Sequence, residues 1–251
     1  MVFGLVPATV WAETTNGHTH YLCGGSTCNG SGHENETYKT TFEKEIKQEG
    51  NTLKIGGESW APTKGSNDTF YILPTGTYYL GSDISLEYTI KIENNVTLCL
   101  NGHKITAADG MDAIYMTGGS FTLTDCKGVG TITHASSKTG RGVYVSSGTF
   151  NMYGGTVSEN ATYAETYSSG KTKNVVSEGA GIYVGTGSVC NIMGSADAEG
   201  PTTSAMLASF PQIINNSCGA ITRNGVRERA TVTVKLSLIH ISEPTRLQLI
   251  S

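Results

Sequence analysis

The chain has 251 residues, of which 32 are glycine, 15% are charged and 37% are hydrophobic. This composition predicts short strands joined by tight turns and argues against a disordered chain, because glycine supplies turn conformations and hydrophobic residues supply a core. The net charge of −4 gives no reason to expect a nucleic acid or an anionic membrane surface as a partner. No apolar run approaches the roughly 18 residues that a membrane-spanning helix needs, so we expect no membrane insertion.

Residues 1–12, MVFGLVPATVWA, are apolar and uncharged. Val10 and Ala12 occupy the small-residue positions before a signal-peptide cleavage site, and Glu13 follows. The positively charged start of a signal peptide is absent, so we interpret the segment as a truncated signal peptide. The alternative is an apolar leader packed on the domain. A signal peptide predicts a secreted or cell-surface protein.

The next segment, residues 13–50, contains HTHYLCGGSTCNGSGH, in which histidine and cysteine are dense. These side chains exceed the four nitrogen and sulfur ligands that a tetrahedral zinc ion takes, so a structural zinc site is one prediction. A disulfide between the two cysteines and a free polar segment are the alternatives, since the spacing matches no standard zinc finger. We expect no other cofactor. The candidate ligands are His18, His20, Cys23, Cys28 and His33.

Residues 51–235 contain a repeated pattern of short strands. GRGVYVSSGTFNMYGGTVSEN from Gly140 aligns with GAGIYVGTGSVCNIMGS from Gly179, and a weaker copy begins at Asp112. Each copy holds three short alternating strands joined by turns, which is typical of one turn of a parallel β-helix. Stacked turns would share one continuous core, whereas a single turn could not bury its own apolar residues. A β-sandwich is the alternative fold.

Strand alternation assigns the apolar residues of each copy to the core and its tyrosine to the outside. Three tyrosines at one repeat position would form an aromatic ladder on which sugar rings or a partner's side chains could rest. The alternative is that the ladder only stabilises neighbouring strands and is covered by the long insertions at 161–178 and 196–210. The ladder residues are Tyr115, Tyr144 and Tyr183. The predicted inward residues are Ile114, Met116, Phe121, Leu123, Val143, Val145, Phe150, Met152, Val157, Ile182, Val184 and Ile192.

Four further cysteines fall into two pairs, each with a spacing of about one repeat. The first pair is Cys99 and Cys126, and the second is Cys190 and Cys218. Residues one turn apart in stacked coils lie about 5 Å from each other, which suits a disulfide. We therefore predict two possible disulfides, and the alternative is that these cysteines are small reduced residues on the inward side.

VTLCLNGHKIT, GRGVYVSSGTFNMYGGTVSEN and the HTHYLC stretch resemble gut-bacterial secreted surface proteins with right-handed parallel β-helix repeats of the pectin-lyase-like type. The resemblance runs from about residue 12 to about residue 219 and implies an adhesin-like protein of the cell wall. A fold of this type does not imply catalysis, and the repeats carry no ladder of acidic residues. The nearest carboxylate pair, Asp109 and Asp112, is explained equally well by turn chemistry.

We therefore expect a non-catalytic extracellular or cell-wall-associated module that is monomeric and binds host or dietary glycans or proteins. One alternative is a carbohydrate-active enzyme, a polysaccharide lyase or glycoside hydrolase, whose active site lies partly in sequence missing from the chain. Another alternative is a purely structural surface spacer.

The last stretch, residues 236–251, continues none of these patterns. It opens with LSLIHISEPTR, which resembles the translation of a common sequencing-library adapter. We interpret residues 236–251 as adapter-derived and leave them out of the fold prediction.

Overall fold

The computed structural model describes residues 18–21, 39–162, 180–193, 212–214, 217–218, 221–222, 226–228 and 231–235, with side chains for 40–162, 180–192 and 212–214. Every regular element in these residues is a β-strand, so the fold is all-β, as predicted. The strands are short because turns, many of them built on glycine, interrupt the alternating apolar pattern every few residues.

The strands follow one another along the chain in two groups. The first group is β1 (His18–Tyr21), β2 (Lys39–Phe42), β3 (Lys44–Glu49), β4 (Thr52–Ile55), β5 (Glu58–Ser59), β6 (Thr63–Lys64), β7 (Thr69–Ile72), β8 (Gly76–Leu80), β9 (Ile84–Ser85), β10 (Ile90–Ile92), β11 (Val96–Cys99) and β12 (Lys104–Ala107). The second group is β13 (Ile114–Met116), β14 (Ser120–Thr124), β15 (Thr131–His134), β16 (Val143–Val145), β17 (Thr149–Met152), β18 (Thr156–Ser158), β19 (Ala161–Thr162), β20 (Ile182–Val184), β21 (Val189–Met193), β22 (Gln212–Ile214), β23 (Ser217–Cys218), β24 (Ile221–Thr222), β25 (Val226–Glu228) and β26 (Thr231–Lys235).

Three largely parallel sheets organise these strands. Sheet 1 has the order β6-β7-β10-β13-β16-β20-β25, sheet 2 the order β5-β4-β3-β8-β11-β14-β17-β21-β26, and sheet 3 the order β9-β12-β15-β18-β22. From β7 onward, a strand of sheet 1 is followed along the chain by one of sheet 2 and then by one of sheet 3. Parallel neighbours need a long connection, and here that connection contains the strands of the other two sheets.

The repeated tyrosine triplets pair with one another in register. Tyr115 lies opposite Tyr144, and Tyr144 lies opposite Tyr183, although a longer stretch of chain separates the second pair than the first. The extra residues of the longer step are therefore accommodated between strands and not within the ladder. A one-residue slip would turn the apolar flanks of each triplet outward, so burial of those flanks holds the register.

A single apolar core lies among the three sheets. Eleven of the twelve residues predicted to point inward have no exposed surface, and the twelfth, Ile192, is partly buried against the same core. Phe121 stacks on Phe150 from the next repeat, with 5.4 Å between ring centroids. Burying one such side chain contributes roughly 1.5–3 kcal/mol to the free energy of unfolding. The inward assignment made from strand alternation is therefore confirmed.

The turn between sheets 1 and 2 requires glycine in successive repeats. Gly119 has a φ of +66° and Gly148 a φ of +97°, a region that other residues rarely occupy. The backbones also approach closely here, because a Cβ atom on Gly148 would collide with the carbonyl oxygen of Gly119. In these two repeats the chain therefore crosses from sheet 1 to sheet 2 through a turn that leaves no room for a side chain at the glycine.

Strands near the N-terminal end of the described chain add to sheet 2. Lys44–Glu49 pairs in parallel with β8 and so belongs to sheet 2, while β4 and β5 continue that sheet in antiparallel fashion. Phe42, at the end of β2, has no exposed surface. Strand β1 pairs antiparallel with β2, which places His18 opposite Phe42 and His20 opposite Thr40. The ladder of sheet 2 therefore begins within the segment that the sequence assigned to the N-terminal region.

Candidate functional site

The tyrosine ladder forms on the outer side of sheet 1. The ring centroids of Tyr115 and Tyr144 are 5.0 Å apart, and those of Tyr144 and Tyr183 are also 5.0 Å apart. Phe70 extends the row at one end, 6.1 Å from Tyr115. Tyr115 and Tyr144 are half-buried, whereas Tyr183 is only 6% exposed. The part of the ladder that a ligand could reach therefore consists of Phe70, Tyr115 and Tyr144.

The ring faces of the ladder are already in contact with other groups. Tyr144 lies between the rings of Tyr115 and Tyr183, and the guanidinium carbon of Arg141 is 4.0 Å from its centroid. Such contacts stabilise the ladder by about 0.5–1.5 kcal/mol for each aromatic pair. A sugar ring therefore cannot lie flat on Tyr144. The ring edges and the phenol hydroxyl groups are what remains for a ligand.

A groove of about 330 Å³ runs beside these ring edges. The aromatic wall comes from Phe70, Tyr115 and Tyr144, and residues 110–112, between β12 and β13, form another wall. The charged residues that line the groove are Asp68, Asp112 and Arg141. The groove thus combines aromatic edges with charged hydrogen-bonding groups, which is the mixture common in small-ligand sites.

Arg141 and Asp112 form a bidentate ion pair in this groove. The Arg141 Nε donates to Asp112 Oδ1 at 2.8 Å, and Nη2 donates to Oδ2 at 3.1 Å. The backbone N–H of Arg141 also donates to Oδ1, at 3.2 Å. About one fifth of each side chain is exposed, so the pair is screened less than a pair on an open surface. Two parallel hydrogen bonds fix the orientation of both groups.

The sequence prediction missed Arg141 and Asp68 as components of this site. A signal for Arg141 was present, because Asp112 and Arg141 each stand three residues before the tyrosine of their copy. Equivalent positions of neighbouring copies lie side by side once the triplets are in register. The opposite charges at this position therefore indicate an ion pair. No comparable signal marks Asp68, which precedes β7.

The loop at residues 110–112 is held by a buried histidine. His134 is 2% exposed; its Nε2 lies 2.8 Å from the carbonyl oxygen of Met111, and its Nδ1 lies 2.7 Å from Asn160 Oδ1. The amide nitrogen of Asn160 donates to the Ser158 carbonyl oxygen at 2.9 Å, which fixes Oδ1 as the atom that faces the imidazole. These two contacts tie the loop at residues 110–112 to Asn160, which follows β18 of the next repeat.

Asp109 supports the same loop from its exposed side. Its carboxylate accepts the backbone N–H of Thr139 at 3.0 Å and lies 3.3 Å from the ammonium of Lys138. The hydrogen bond from Thr139, together with the positive charge of Lys138, lowers the pKa of Asp109 below its ordinary value. Asp109 therefore acts in turn formation, in agreement with the turn chemistry considered from the sequence.

Among the described side chains, Cys99, Cys126 and Cys190 form no disulfide, and the two predicted pairs differ in their positions. The sulfur atoms of Cys99 and Cys126 lie 3.8 Å apart, so adjacent repeats do bring these two together. Cys190 lies in β21 opposite Phe150 and Val232, whereas Cys218 lies in β23 opposite Thr162. The unequal repeat lengths explain why a similar spacing does not place Cys190 and Cys218 at one ladder position.

Burial governs the chemistry of the inward thiols. It raises the pKa of Cys190 to about 12. It also raises the pKa of Cys99 well above the ordinary value, and the neighbouring thiol of Cys126 adds to this shift. Thiolates are the reactive form of cysteine, so these two residues are expected to be inert toward electrophiles at neutral pH.

The predicted zinc ligands lie at the margin of the described chain. Cys23, Cys28 and His33 fall outside the described residues, and His18 and His20 are described only by their places in β1. Within the described part of the chain, no group of three or more histidine, cysteine, aspartate or glutamate residues has the arrangement to hold a metal ion. The structural zinc site therefore stays a prediction, as does its disulfide alternative.

Comparison of the chain with protein-family models, with curated proteins and with solved structures finds no match. Among the residues that the structure describes, no helix is long and apolar enough to cross a membrane. Functional inference therefore rests on the groove itself.

Proposed function

We propose that the chain is a right-handed parallel β-helix of the pectin-lyase-like type that acts as a non-catalytic, adhesin-like module at the cell surface and binds carbohydrate in the groove. The regular succession of strands through three parallel sheets supports the solenoid fold. The observation that carries the function is the groove of about 330 Å³, in which aromatic edges stand beside the fixed Arg141–Asp112 pair.

The chemistry of the groove suits a sugar. Sugar hydroxyl groups both donate and accept hydrogen bonds, so they match a carboxylate next to a guanidinium group. The apolar faces of sugar rings match the edges of Phe70 and Tyr115. Because Arg141 and Asp112 already hold each other in place, a ligand would not have to order them on binding.

A non-catalytic role is favoured over a carbohydrate-active enzyme by the hydrogen bonds of Asp112. Both of its carboxylate oxygens accept hydrogen bonds from Arg141, so neither is free of a partner when a substrate arrives. Glycoside hydrolysis needs two carboxyl groups placed across the scissile bond, one of them able to give a proton. The enzyme alternative predicts release of reducing or unsaturated sugars, which an assay on soluble polysaccharides would detect.

A structural spacer is the second candidate function, and the stacking of the ladder favours it. Each ring of Tyr115, Tyr144 and Tyr183 contacts its neighbour from the adjacent repeat, which stabilises the strands whether or not a ligand binds. If the chain is a structural spacer, the groove results from the packing of the side chains around it and binds no ligand. Binding measurements separate the two candidates.

The test is a glycan array probed with the purified chain, followed by titration of the glycans that bind. Tyr115→Phe keeps the stacking with Phe70 and Tyr144 but removes one hydroxyl group, so we expect affinity to fall about fivefold, the effect of one lost hydrogen bond. Tyr79→Phe is the matched control, because Tyr79 is a half-buried tyrosine of sheet 2. Absence of binding to any glycan would leave the spacer as the function.

A further inference from the structure

We infer that the ligand of the groove is a glycan built from amino sugars with positively charged amino groups, and that the groove disfavours polyuronates. This inference rests on the proposed function, since it names the class of sugar that the same groove would take. It follows from the charges that line the groove and from the partners of each charge.

The groove has one cation, and that cation is neutralised. Arg141 is the only lysine or arginine among the lining residues, and Asp112 binds its guanidinium group through two hydrogen bonds. The guanidinium carbon also lies 4.0 Å from the ring centroid of Tyr144, so the group is enclosed by partners. A carboxylate or sulfate on a ligand would have to compete with Asp112 for Arg141.

One anion of the groove has no such partner. Asp68 is exposed and forms no ion pair with any other described residue. The lining charges of Asp68, Asp112 and Arg141 therefore leave one net negative charge, located at Asp68. A positively charged amino group is attracted to this position, and a uronate is repelled from it.

Two lysines beside the groove, Lys91 and Lys138, do not reverse this balance. The ammonium group of Lys91 lies 5.2 Å from the ring centroid of Phe70, but it is paired with Glu93 at 2.7 Å. Lys138 is paired with Asp109 at 3.3 Å. Each of these two cations carries its own carboxylate, so neither offers an unpaired positive charge to an anionic glycan.

The experiment compares three oligosaccharides of equal length by titration calorimetry: a glucosamine oligomer, an N-acetylglucosamine oligomer and a galacturonate oligomer. It is run at a pH below neutrality, at which the amino groups are protonated. We expect the glucosamine oligomer to bind about two- to fivefold more tightly than the N-acetylglucosamine oligomer, and the galacturonate oligomer to bind the most weakly. Added salt should reduce this preference because the attraction is electrostatic.

Two variants assign the preference to the groove. Asp68→Asn should bring the affinity for the glucosamine oligomer close to that for its N-acetylated form and leave the latter unchanged. Glu58→Gln removes the same charge from an exposed strand of sheet 2 and should change neither affinity.

Two outcomes overturn the inference and leave the proposed function standing. They are equal or tighter binding of the galacturonate oligomer, and equal binding of the two glucosamine forms. A chain that binds no glycan on the array would instead overturn the proposed function itself.

Discussion

At the scale of single residues, Asp125 joins two neighbouring repeats. Its side chain is 1% exposed and accepts the backbone N–H groups of Gly102 and Gly130, each at 2.7 Å. Gly102 belongs to the turn of the preceding repeat, and Gly130 to the turn that follows Asp125. One buried carboxylate therefore satisfies donors from two turns that no strand ladder reaches.

Asp125→Ala should lower the free energy of unfolding by about 2–4 kcal/mol, because it leaves two backbone donors buried without partners. Denaturation in urea, followed by circular dichroism, would measure the loss. Asp109→Ala is the control, since Asp109 accepts comparable hydrogen bonds in an exposed turn, where water can replace them, and its loss should be clearly smaller. Similar losses in the two variants would contradict the assigned role of Asp125.

A second prediction at this scale concerns the thiols. With a pKa of about 12, Cys190 carries a thiolate in roughly one molecule in ten thousand at pH 8, and its reactivity should rise only as the pH approaches 12. Alkylation at pH 8, mapped by mass spectrometry, should therefore modify the half-buried Cys126 long before Cys190. Failure of Cys126 to react until a reductant is added would establish the predicted disulfide with Cys99.

At the scale of elements, the turn between sheets 1 and 2 is constrained differently in successive repeats. Gly148 combines a φ of +97° with a close approach to the backbone of Gly119. Gly187 occupies the same turn one repeat later, with a φ of +82°, and has no atom within 4 Å of where a Cβ would lie. The two positions therefore share the backbone conformation and differ in the space around it.

Gly148→Ala should destabilise the protein by about 3 kcal/mol or more, since it adds a backbone collision to the strain of a positive φ. Gly187→Ala should cost only about 1–2 kcal/mol, because strain alone acts there. Urea denaturation of both variants tests the difference. If the Gly187 variant lost as much stability as the Gly148 variant, the close approach between successive turns would not matter.

Much of the strand content could be predicted from the sequence, because period-two alternation shows directly which residues are buried. The inward positions from Ile114 to Val184 follow from it. The ladder partner of Cys190 could not be predicted, since that partner depends on how many residues each repeat inserts. The ion pair of Arg141 with Asp112 needed one more step, which was to place equivalent positions of two copies side by side.

The groove was harder to predict than the ladder. Its walls come from β7, from the loop at 110–112 and from two repeats of sheet 1, so they are brought together only by the register of the sheets. The low exposure of Tyr183 also could not be predicted, because all three copies have the same apolar-tyrosine-apolar triplet. Sequence reasoning identified Tyr115 and Tyr144, attributed Asp112 to a turn, and did not assign Phe70, Asp68 or Arg141 to the site.

At the scale of the whole molecule, the parallel pairing that dominates the described residues is non-local. Successive strands of sheet 1 pair across progressively longer stretches of chain, as in Ile90 with Ile114, Ile114 with Val143 and Val143 with Ile182. In each such pairing the chain between the two strands must first lose conformational entropy, and only then do the strands form their contacts. This order of events slows folding.

Refolding from urea should therefore take seconds or longer at 25 °C, even where the native state is stable. Stopped-flow fluorescence of Trp60 provides the measurement, because this side chain is 8% exposed and packs 5.2 Å from the ring of Tyr71. A refolding phase that is complete within milliseconds would contradict the non-local topology.

The register of the tyrosine triplets has a consequence for how such a chain can lengthen over generations. Val143 meets Ile114 on one side and Ile182 on the other with the same pairing, although the intervening lengths differ. A duplicated stretch of the gene that encodes one full repeat would thus insert a unit whose two edges fit its new neighbours. Growth and shortening by recombination would preserve the fold, while the segments between strands diverged in sequence.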